Sequence, residues 1–412
     1  MSRDVAGLAR LLDAGPLPAR ASLVIVGAGI TGLSFARWLS ALGLRDMLIV
    51  ERAYPGAGAT GRNVARLRAM QLTEELCHVA VAAQATYDRM GEELGFNVLF
   101  YRLGYLWALY EAEEMERMAR AVEMHHRLGI DSRLLAPDDV LRLVPVFRGG
   151  DPLAGGVVHD DAIVHHDAVV WAHLEHLAAT GRVRIASGTN VVGVARGDGG
   201  VRAVLTDRGR VETRHVLNAA DAWSNALNGL AAVHAPNRPL RREVLVTAPV
   251  HRAIDKAVTF YRPTEGWFNQ TLRGEVVMGV VDPDEPVGHD QRSSSDFLRR
   301  TARLMVRKAP GLADLTVIRQ WAGMYDVTPD HLPLVGQTGQ LEGWWQANGW
   351  SGRGMLLAPY LTRLLAERFM GAEPHPHLAL FEPDRFVGTG DAGNGDEDYY
   401  ARYARPRDAT RR

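Results

Sequence analysis

Apolar runs of four residues alternate with amphipathic stretches at the start of the chain. Leu23 to Val26 (LVIV) reads as a short strand that runs into the glycine-rich turn GAGITG and opens a helix, and Met47 to Val50 (MLIV) reads as the next strand. Thr73 to about Gly95 and Ala112 to Leu128 carry helical apolar spacing, with a strand pair expected around Asn97 to Ala108. These elements do not continue the β-α-β alternation, which predicts a second domain inserted into the first. A new strand is expected at Gly155 to Asp160, a helix at His165 to Ala179, and strands at Val183 to Ala186 and Val191 to Ala195. Period-two alternation in Val201 to Thr206 and Val211 to Thr213 predicts a small antiparallel sheet.

The stretch HVLNAADAWSNAL, His215 to Leu227, is an apolar strand ending in small residues, and it reads as a return to the first domain. Arg241 to Asp282 is rich in strands, Ser295 to Ala309 reads as a helix, and Val317 to Tyr325 as a strand leading into Thr328-Pro329-Asp330. After the strand Trp344 to Ala347, NGWSGRGM forms a second glycine-rich turn that opens another amphipathic helix. Residues 1–20 read as a short helix and a proline-containing lead-in. The polar tail beyond Phe386 has the composition of a disordered segment.

The first glycine turn carries the earliest chemistry. Gly27 permits a tight turn off the strand, Gly29 lets backbone approach a pyrophosphate, and Gly32 lets the helix pack closely on the strand. The helix N-terminus offers N–H groups and a positive dipole end to phosphate. In a chain with 42 glycines such spacing also arises by chance. The context favours a dinucleotide site, because the second strand ends in Glu51, an acid placed about twenty residues on to hold a ribose hydroxyl.

Composition narrows the partners. At 412 residues the chain is long for one core and suggests two interleaved domains, and a net charge of −1 gives no reason to expect nucleic acid or an anionic membrane. No apolar run approaches membrane-spanning length, and charges at Asp4, Arg10 and Asp13 argue against a secretory signal. The single cysteine, Cys77, excludes an internal disulfide framework, reads as core, and fits a reducing cytoplasm. The histidines form no HExxH-like spacing, so no metal is expected. Lysine occurs only at Lys256 and Lys308, so cationic chemistry falls to arginine. The loop Glu51 to Met70 places Arg62, Arg66 and Arg68 among glycines, where a nucleotide or acidic substrate would lie; a solvated surface loop is the competing reading.

The order of these parts resembles the D-amino-acid oxidase and sarcosine oxidase superfamily of FAD enzymes, above all the β subunits of heterotetrameric sarcosine oxidase. The resemblance rests on GAGITG with Glu51-Arg52, GATGRN, NVLFYRLGYLWA, LGIDSRLLAPDDVLRLVP, VHHDAVVW, NAADAWS, WAGMYDVTPDHLPLVG and NGWSGRGM, which together span about Leu23 to Phe386. It implies an α/β fold (α+β overall), in which a Rossmann-like FAD-binding domain (21–80, 150–235, 326–386) is interleaved with an antiparallel-sheet substrate domain (81–149, 236–325). It also implies oxidation of a C–N bond in a small amine such as sarcosine, by hydride transfer to flavin N5 and imine hydrolysis. The FAD ligands it implies are Gly27, Ala28, Gly29, Ile30, Thr31, Gly32, Glu51, Arg52, Gly61, Arg62, Asn63, Val191, Ala220, Trp223, Gly352, Arg353, Gly354 and Met355. Arg66, Arg68 and Arg353 are candidates for a substrate-carboxylate clamp, and Tyr325 for a pocket wall; structural or solvated roles compete at each.

Departures from the family pattern carry information. Monomeric members tether FAD through a cysteine just before the Met-Tyr pair; here that residue is Gly323, so the resemblance implies non-covalent FAD that denaturation releases. The lysine that activates oxygen falls near Val277, and a carboxylate-binding lysine is replaced by Leu356, which implies slow reaction with oxygen and transfer of electrons elsewhere. His166, in HHDAVVW, resembles the histidine that carries covalent FMN in heterotetrameric enzymes, with partner subunits to match. A helix-start histidine without ligand is the competing reading, as is a self-contained amino-acid dehydrogenase or a catalytically silent electron-relay subunit for the chain as a whole.

Overall fold

The computed structural model describes residues 5–12, 15–261 and 266–388; most of the tail expected to be disordered, 389–412, lies outside them. Two sheets organise the molecule. The first has six strands in the order Leu334–Gln337, Trp344–Asn348, Val216–Asn218, Leu23–Val26, Met47–Val50, Val183–Ala186. All its pairings are parallel except the outermost, where Leu334–Gln337 runs against Trp344–Asn348. Such strands are buried on both faces, which is why LVIV and MLIV read as continuous apolar runs rather than alternating ones.

Helix Ile30–Ala41 covers one face of this sheet together with His166–Thr180 and Gly354–Phe369, in the largest apolar cluster. Glu74–Leu94 joins them, started by the Thr73 hydroxyl and ended by Gly95 in the left-handed conformation, as its sequence predicts. On the other face lies the expected antiparallel meander, Val191–Gly197, Gly200–Thr206 and Gly209–Glu212. The N-terminal helix Val5–Leu11 is part of the body: Leu11 is buried in the largest cluster.

Helix Gly354–Phe369 contains Pro359 six residues in. Proline has no N–H to donate to the Met355 carbonyl four residues earlier. The Tyr87 hydroxyl donates to that carbonyl instead, and the Trp38 indole N–H donates to the carbonyl of Pro359 itself at 2.9 Å. The Tyr87 hydroxyl thus takes the place of the one backbone donor that the proline lacks.

The second sheet has eight strands, ordered Val317–Val327, Arg238–Thr247, Val276–Val280, Gly266–Gln270, Ala257–Phe260, Tyr105–Leu109, Gly155–His159, Arg133–Leu135. Its pairings are antiparallel except Ala257–Phe260 beside Tyr105–Leu109. Helix Ser295–Lys308 packs on it through Phe297, Leu304 and Met305. The long strand Val317–Val327 ends at the second glycine turn, where the Ser351 N–H donates to the Asp326 carbonyl at 2.9 Å.

Two expectations differ from the structure. In place of a strand pair around Asn97 to Ala108 there is one strand, Tyr105–Leu109. The stretch before it turns too sharply to be a strand: Leu99 has φ 54°, Asn97 accepts from its N–H at 2.9 Å, and Gly104 has φ 77°. The segment Gly155–His159, expected in the returning nucleotide domain, instead lies in the eight-stranded sheet against Tyr105–Leu109. Its Gly-Gly-Val-Val is buried on both faces, a pattern that fits a central strand of either sheet.

Candidate functional site

The first glycine turn is held by close contact. Gly27 has φ 113°, and a Cβ there would lie 2.4 Å from the Ala219 carbonyl oxygen; a Cβ on Gly32 would lie 2.0 Å from the Gly27 oxygen. Strand, turn and helix thus approach as only glycine allows. Helix Ile30–Ala41 begins at Gly29 with no side-chain cap, and its first N–H, from Ile30, donates to Thr60 Oγ1 at 3.0 Å. Glu51 accepts from the N–H groups of Ala28 (2.9 Å) and Ala53 (2.8 Å), one at each carboxylate oxygen. That clamps the acid beside the turn with a further lone pair on each oxygen for a ribose hydroxyl.

From this turn a cavity of about 1190 Å³ runs between the two sheets. Gly27, Gly29, Ile30, Thr31, Glu51, Arg52, Arg62, Asn63, Val191, Ala220, Trp223, Gly352, Arg353, Gly354 and Met355 line it, as do Arg66, Arg68 and Tyr325. Ala28, Gly32 and Gly61, also expected to hold FAD, are not in its lining. Asn63 serves its own loop: its amide donates to the Ala59 carbonyl (3.3 Å) and its carbonyl accepts from the Ala65 N–H at 2.6 Å. At the Glu51 end, the Arg52 guanidinium lies 4.3 Å from the Trp223 ring centre, and Trp223 stacks on His289.

The second glycine turn meets the same cavity. Gly352 has φ 83°, and a Cβ there would come within 2.5 Å of the Tyr325 ring, so the ring packs flat on bare backbone. Helix Gly354–Phe369 starts at Arg353 without a side-chain cap and turns its N-terminus to the cavity. Arg353 itself donates to the His331 carbonyl at 2.6 Å. Two helices of 12 and 16 residues therefore direct their N-termini at one space, the first with its Ile30 N–H taken by Thr60 Oγ1, which fits a ligand carrying negative charge at two places: the pyrophosphate of FAD and the ring system that becomes anionic on reduction.

At the far end stand the two arginines. Arg66 donates through Nε (3.0 Å) and Nη2 (2.9 Å) to Asn269 Oδ1, and through Nη1 to Thr259 Oγ1 (3.3 Å) and the Val258 carbonyl (3.4 Å). Its guanidinium lies 4.6 Å from the centre of the Trp267 ring, while that of Arg68 lies 4.7 Å from Trp107. Burial pulls the Arg66 pKa down from the ordinary arginine value, the tyrosines 105 and 325 oppose this, and the charge of Arg68 adds to it. Arg242 lies 5.4 Å from the Tyr325 ring on the adjoining wall.

Several of these residues leave no mark in the sequence. Thr259, Trp267 and Asn269 come from neighbouring strands about two hundred residues after Arg66, and only the sheet register brings them to it. Asp221 and Asp326, also in the cavity wall, form a buried acid pair. Asp326 accepts from Asn237 Nδ2 (2.6 Å), Ser224 Oγ (3.1 Å) and the Gly349 N–H (2.6 Å). Burial pushes both carboxyls up, Asp326 to about 7 against the pull of these donors and Asp221 to about 8 with the charge of Asp326 adding to it. An acid among the small residues of NAADAWS is a signal that was there to be read.

His166 stands apart: it is absent from the cavity wall, 23% exposed at the start of its helix, and stacked on His165 with ring centres 5.1 Å apart. Gly323 lies against Arg62, whose Cβ would be 3.2 Å from a side chain placed there, and Cys77 is buried with its thiol pushed up to about 11 by burial. Val277 is buried in its strand, while Leu356 reaches the cavity wall.

The family described as FAD dependent oxidoreductase matches residues 22–368. The chain belongs to that family. It is 28% identical to the sarcosine oxidase β subunit of Rhodobacter capsulatus, over 89% of this chain and 90% of that one, and 28% identical to the β subunit from an Arthrobacter species, over 91% and 93%. Among solved structures it is similar to L-proline dehydrogenase from P. horikoshii, with a TM-score of 0.83 and 26% identity over 90% of this chain and 98% of the other. In this FAD-dependent oxidoreductase the first glycine turn lines the large cavity. Among the described residues no helix is long and apolar enough to cross a membrane.

Proposed function

We propose that this chain oxidises the C–N bond of a small amino acid with a secondary amine, such as sarcosine or another N-methyl amino acid, as a subunit of sarcosine oxidase β type. FAD, when bound, supplies the two-electron acceptor that turns the amine into an imine, which water then cleaves. The residues Gly27 to Thr31, Glu51 and Gly352 to Met355 would hold it, and the absence of a side chain at Gly323 supports a non-covalent cofactor.

The single observation that carries this reading is the pair of guanidinium groups, Arg66 and Arg68, set against aromatic rings in the cavity that the second helix N-terminus also lines. In so low a dielectric a carboxylate finds charge-assisted partners, while an amine without one does not. Trp267, Tyr105 and Tyr325 exclude water around the substrate, and the Gly354 helix dipole favours negative charge at the cofactor ring. The apolar Val277, near where monomeric members carry the oxygen-activating lysine, supports transfer of electrons to a partner or carrier rather than directly to oxygen. A second flavin at His166 belongs to this reading as a feature of the assembled complex, with the His165–His166 ring pair on the outside of the chain.

The test is anaerobic mixing of the purified holoprotein with sarcosine and, separately, with dimethylamine, which shares the amine and lacks the carboxylate. Bleaching of the flavin by sarcosine at least about a hundredfold faster at equal concentration is expected. Equal rates, or bleaching by neither, would contradict the role given to the arginines.

A further inference from the structure

Asp221 and Asp326 stand between the two glycine turns. The stretch that carries Asp221 leaves the strand Val216–Asn218 and packs on the first turn, with the Ala219 N–H donating to the Val26 carbonyl at 3.0 Å. Asp326, near the end of Val317–Val327, accepts from the Gly349 N–H at its carboxylate and from the Ser351 N–H at its carbonyl, which ties it to the second turn. Both acids line the cavity. Asp221 also has φ 48°, a left-handed conformation that side-chain-bearing residues rarely adopt, at the wall of a ligand site.

Among the described residues no cation is paired with either carboxyl, and Asp326 accepts only from the neutral donors Asn237, Ser224 and Gly349. Helix Ser224–Leu230 and strand Trp344–Asn348, packed on the turn Asp221–Trp223, carry no titratable group. Strand Arg238–Thr247 brings Arg238, exposed; Arg241, held by Glu285 at 2.9 Å; Glu243, bonded to Ser294 and Gln320; and Arg242, against the Tyr325 ring. Arg52 and His289 flank Trp223, and His289 Nε2 meets the Ala222 carbonyl at 2.9 Å. Of all these groups, Asp326 is the one whose charge acts on Asp221.

Two ionised carboxylates here would repel each other, and would repel a cofactor that brings a pyrophosphate into the same space. The three donors stabilise the charged form of Asp326, and none of them reaches Asp221. Asp221 is thus the member of the pair that keeps a proton to the higher pH, in keeping with its rise to about 8. As an acid it has an O–H to donate, and FAD is rich in oxygen acceptors.

We propose that Asp221 is a cofactor-binding residue that meets FAD as a neutral acid, donating its O–H, so that FAD and this proton hold each other in the chain. This rests on membership of the FAD-dependent family and not on which amine is oxidised.

The experiment is equilibrium dialysis of the full chain against FAD between pH 6 and 9, with circular dichroism confirming the fold at each pH. The dissociation constant is expected to rise at least about fivefold from pH 7 to 9, with proton uptake on FAD binding in weak buffer near pH 8. Asp221→Asn, neutral at every pH and still a donor, is expected to bind within about threefold of the wild type at pH 6 and to keep that affinity at pH 9. Asp221→Ala, without the donor, is expected to bind about fivefold more weakly than Asp221→Asn at both. A wild-type affinity unchanged from pH 6 to 9, or the same loss in Asp221→Asn, would overturn the role of the proton and leave FAD binding standing. Equal affinity of the alanine and asparagine variants would overturn the donated hydrogen bond. A chain that binds no FAD at any pH would contradict the cofactor assignment itself. Should a variant fail to fold, the wild-type affinity and proton uptake decide.

Discussion

The two ends of the cavity are built on different principles. At the Glu51 end the ligand surface is backbone, shaped by glycines within one strand-turn-helix unit packed so closely that a Cβ added at Gly32 would lie 2.0 Å from the Gly27 oxygen. At the Arg66 end it is made of side chains, gathered from segments about two hundred residues apart and held by hydrogen bonds and rings. A backbone site has no tolerance for an added atom but little dependence on any one functional group. A side-chain site tolerates changes of shape and fails when a single charge is lost. The first design suits a cofactor whose phosphates are invariant, and the second a substrate that differs among relatives of one fold.

The sharpest way to break this contrast is Gly32→Val. The helix would have to move off the strand, so we expect loss of bound FAD and destabilisation of at least about 3 kcal/mol, read from flavin content and thermal unfolding. If the variant retains FAD, the backbone cradle is not the binding element. Next comes Arg68→Met, which keeps much of the volume and removes the charge. FAD content should stay near that of the wild type while kcat/KM for the amine falls about 10- to 100-fold, measured by anaerobic reduction. Loss of FAD instead would mean the two ends are not separable.

A third prediction concerns the acid pair between the ends. Asp221 has its pKa raised in the folded chain, so between the ordinary aspartate value and about 8 the folded state holds a proton that the unfolded state lacks. Its contribution to stability is therefore fully present at low pH and is lost as pH rises through about 8. Asp221→Asn, which cannot ionise, should gain stability over the wild type as pH rises across that window. Unfolding midpoints at pH 5, 7 and 9 check this, and a constant difference would mean that Asp221 is ionised throughout.

A smaller effect tests the shared helix. Tyr87→Phe removes the hydroxyl that serves the Met355 carbonyl, and should cost about 1–3 kcal/mol of stability with the substrate preference unchanged.

This contrast also explains what the sequence disclosed. The backbone end was legible, because GAGITG, MLIV and Glu51 lie within thirty residues and each residue type has one physical reason to be there. The second glycine turn was legible for the same reason. The arginines could be picked out by rarity of other cations and by their glycine-rich loop, but their cage could not: Trp267, Thr259 and Asn269 look like any strand residues until the sheet register places them. The sheet that strand Gly155–His159 joins was not legible, because a doubly buried strand has the same pattern in either. The loop Asn97 to Gly104 hides its turns in one residue, Leu99, that adopts a left-handed φ without being glycine.

The most direct measurement is the absorbance spectrum of the purified chain, taken before and after acid precipitation and again after anaerobic addition of sarcosine and N-methylaspartate. The account predicts FAD in the supernatant, released without a covalent link, and bleaching of the native flavin by an N-methyl amino acid. A chain that binds no flavin, or a flavin that no amino acid reduces, would contradict it.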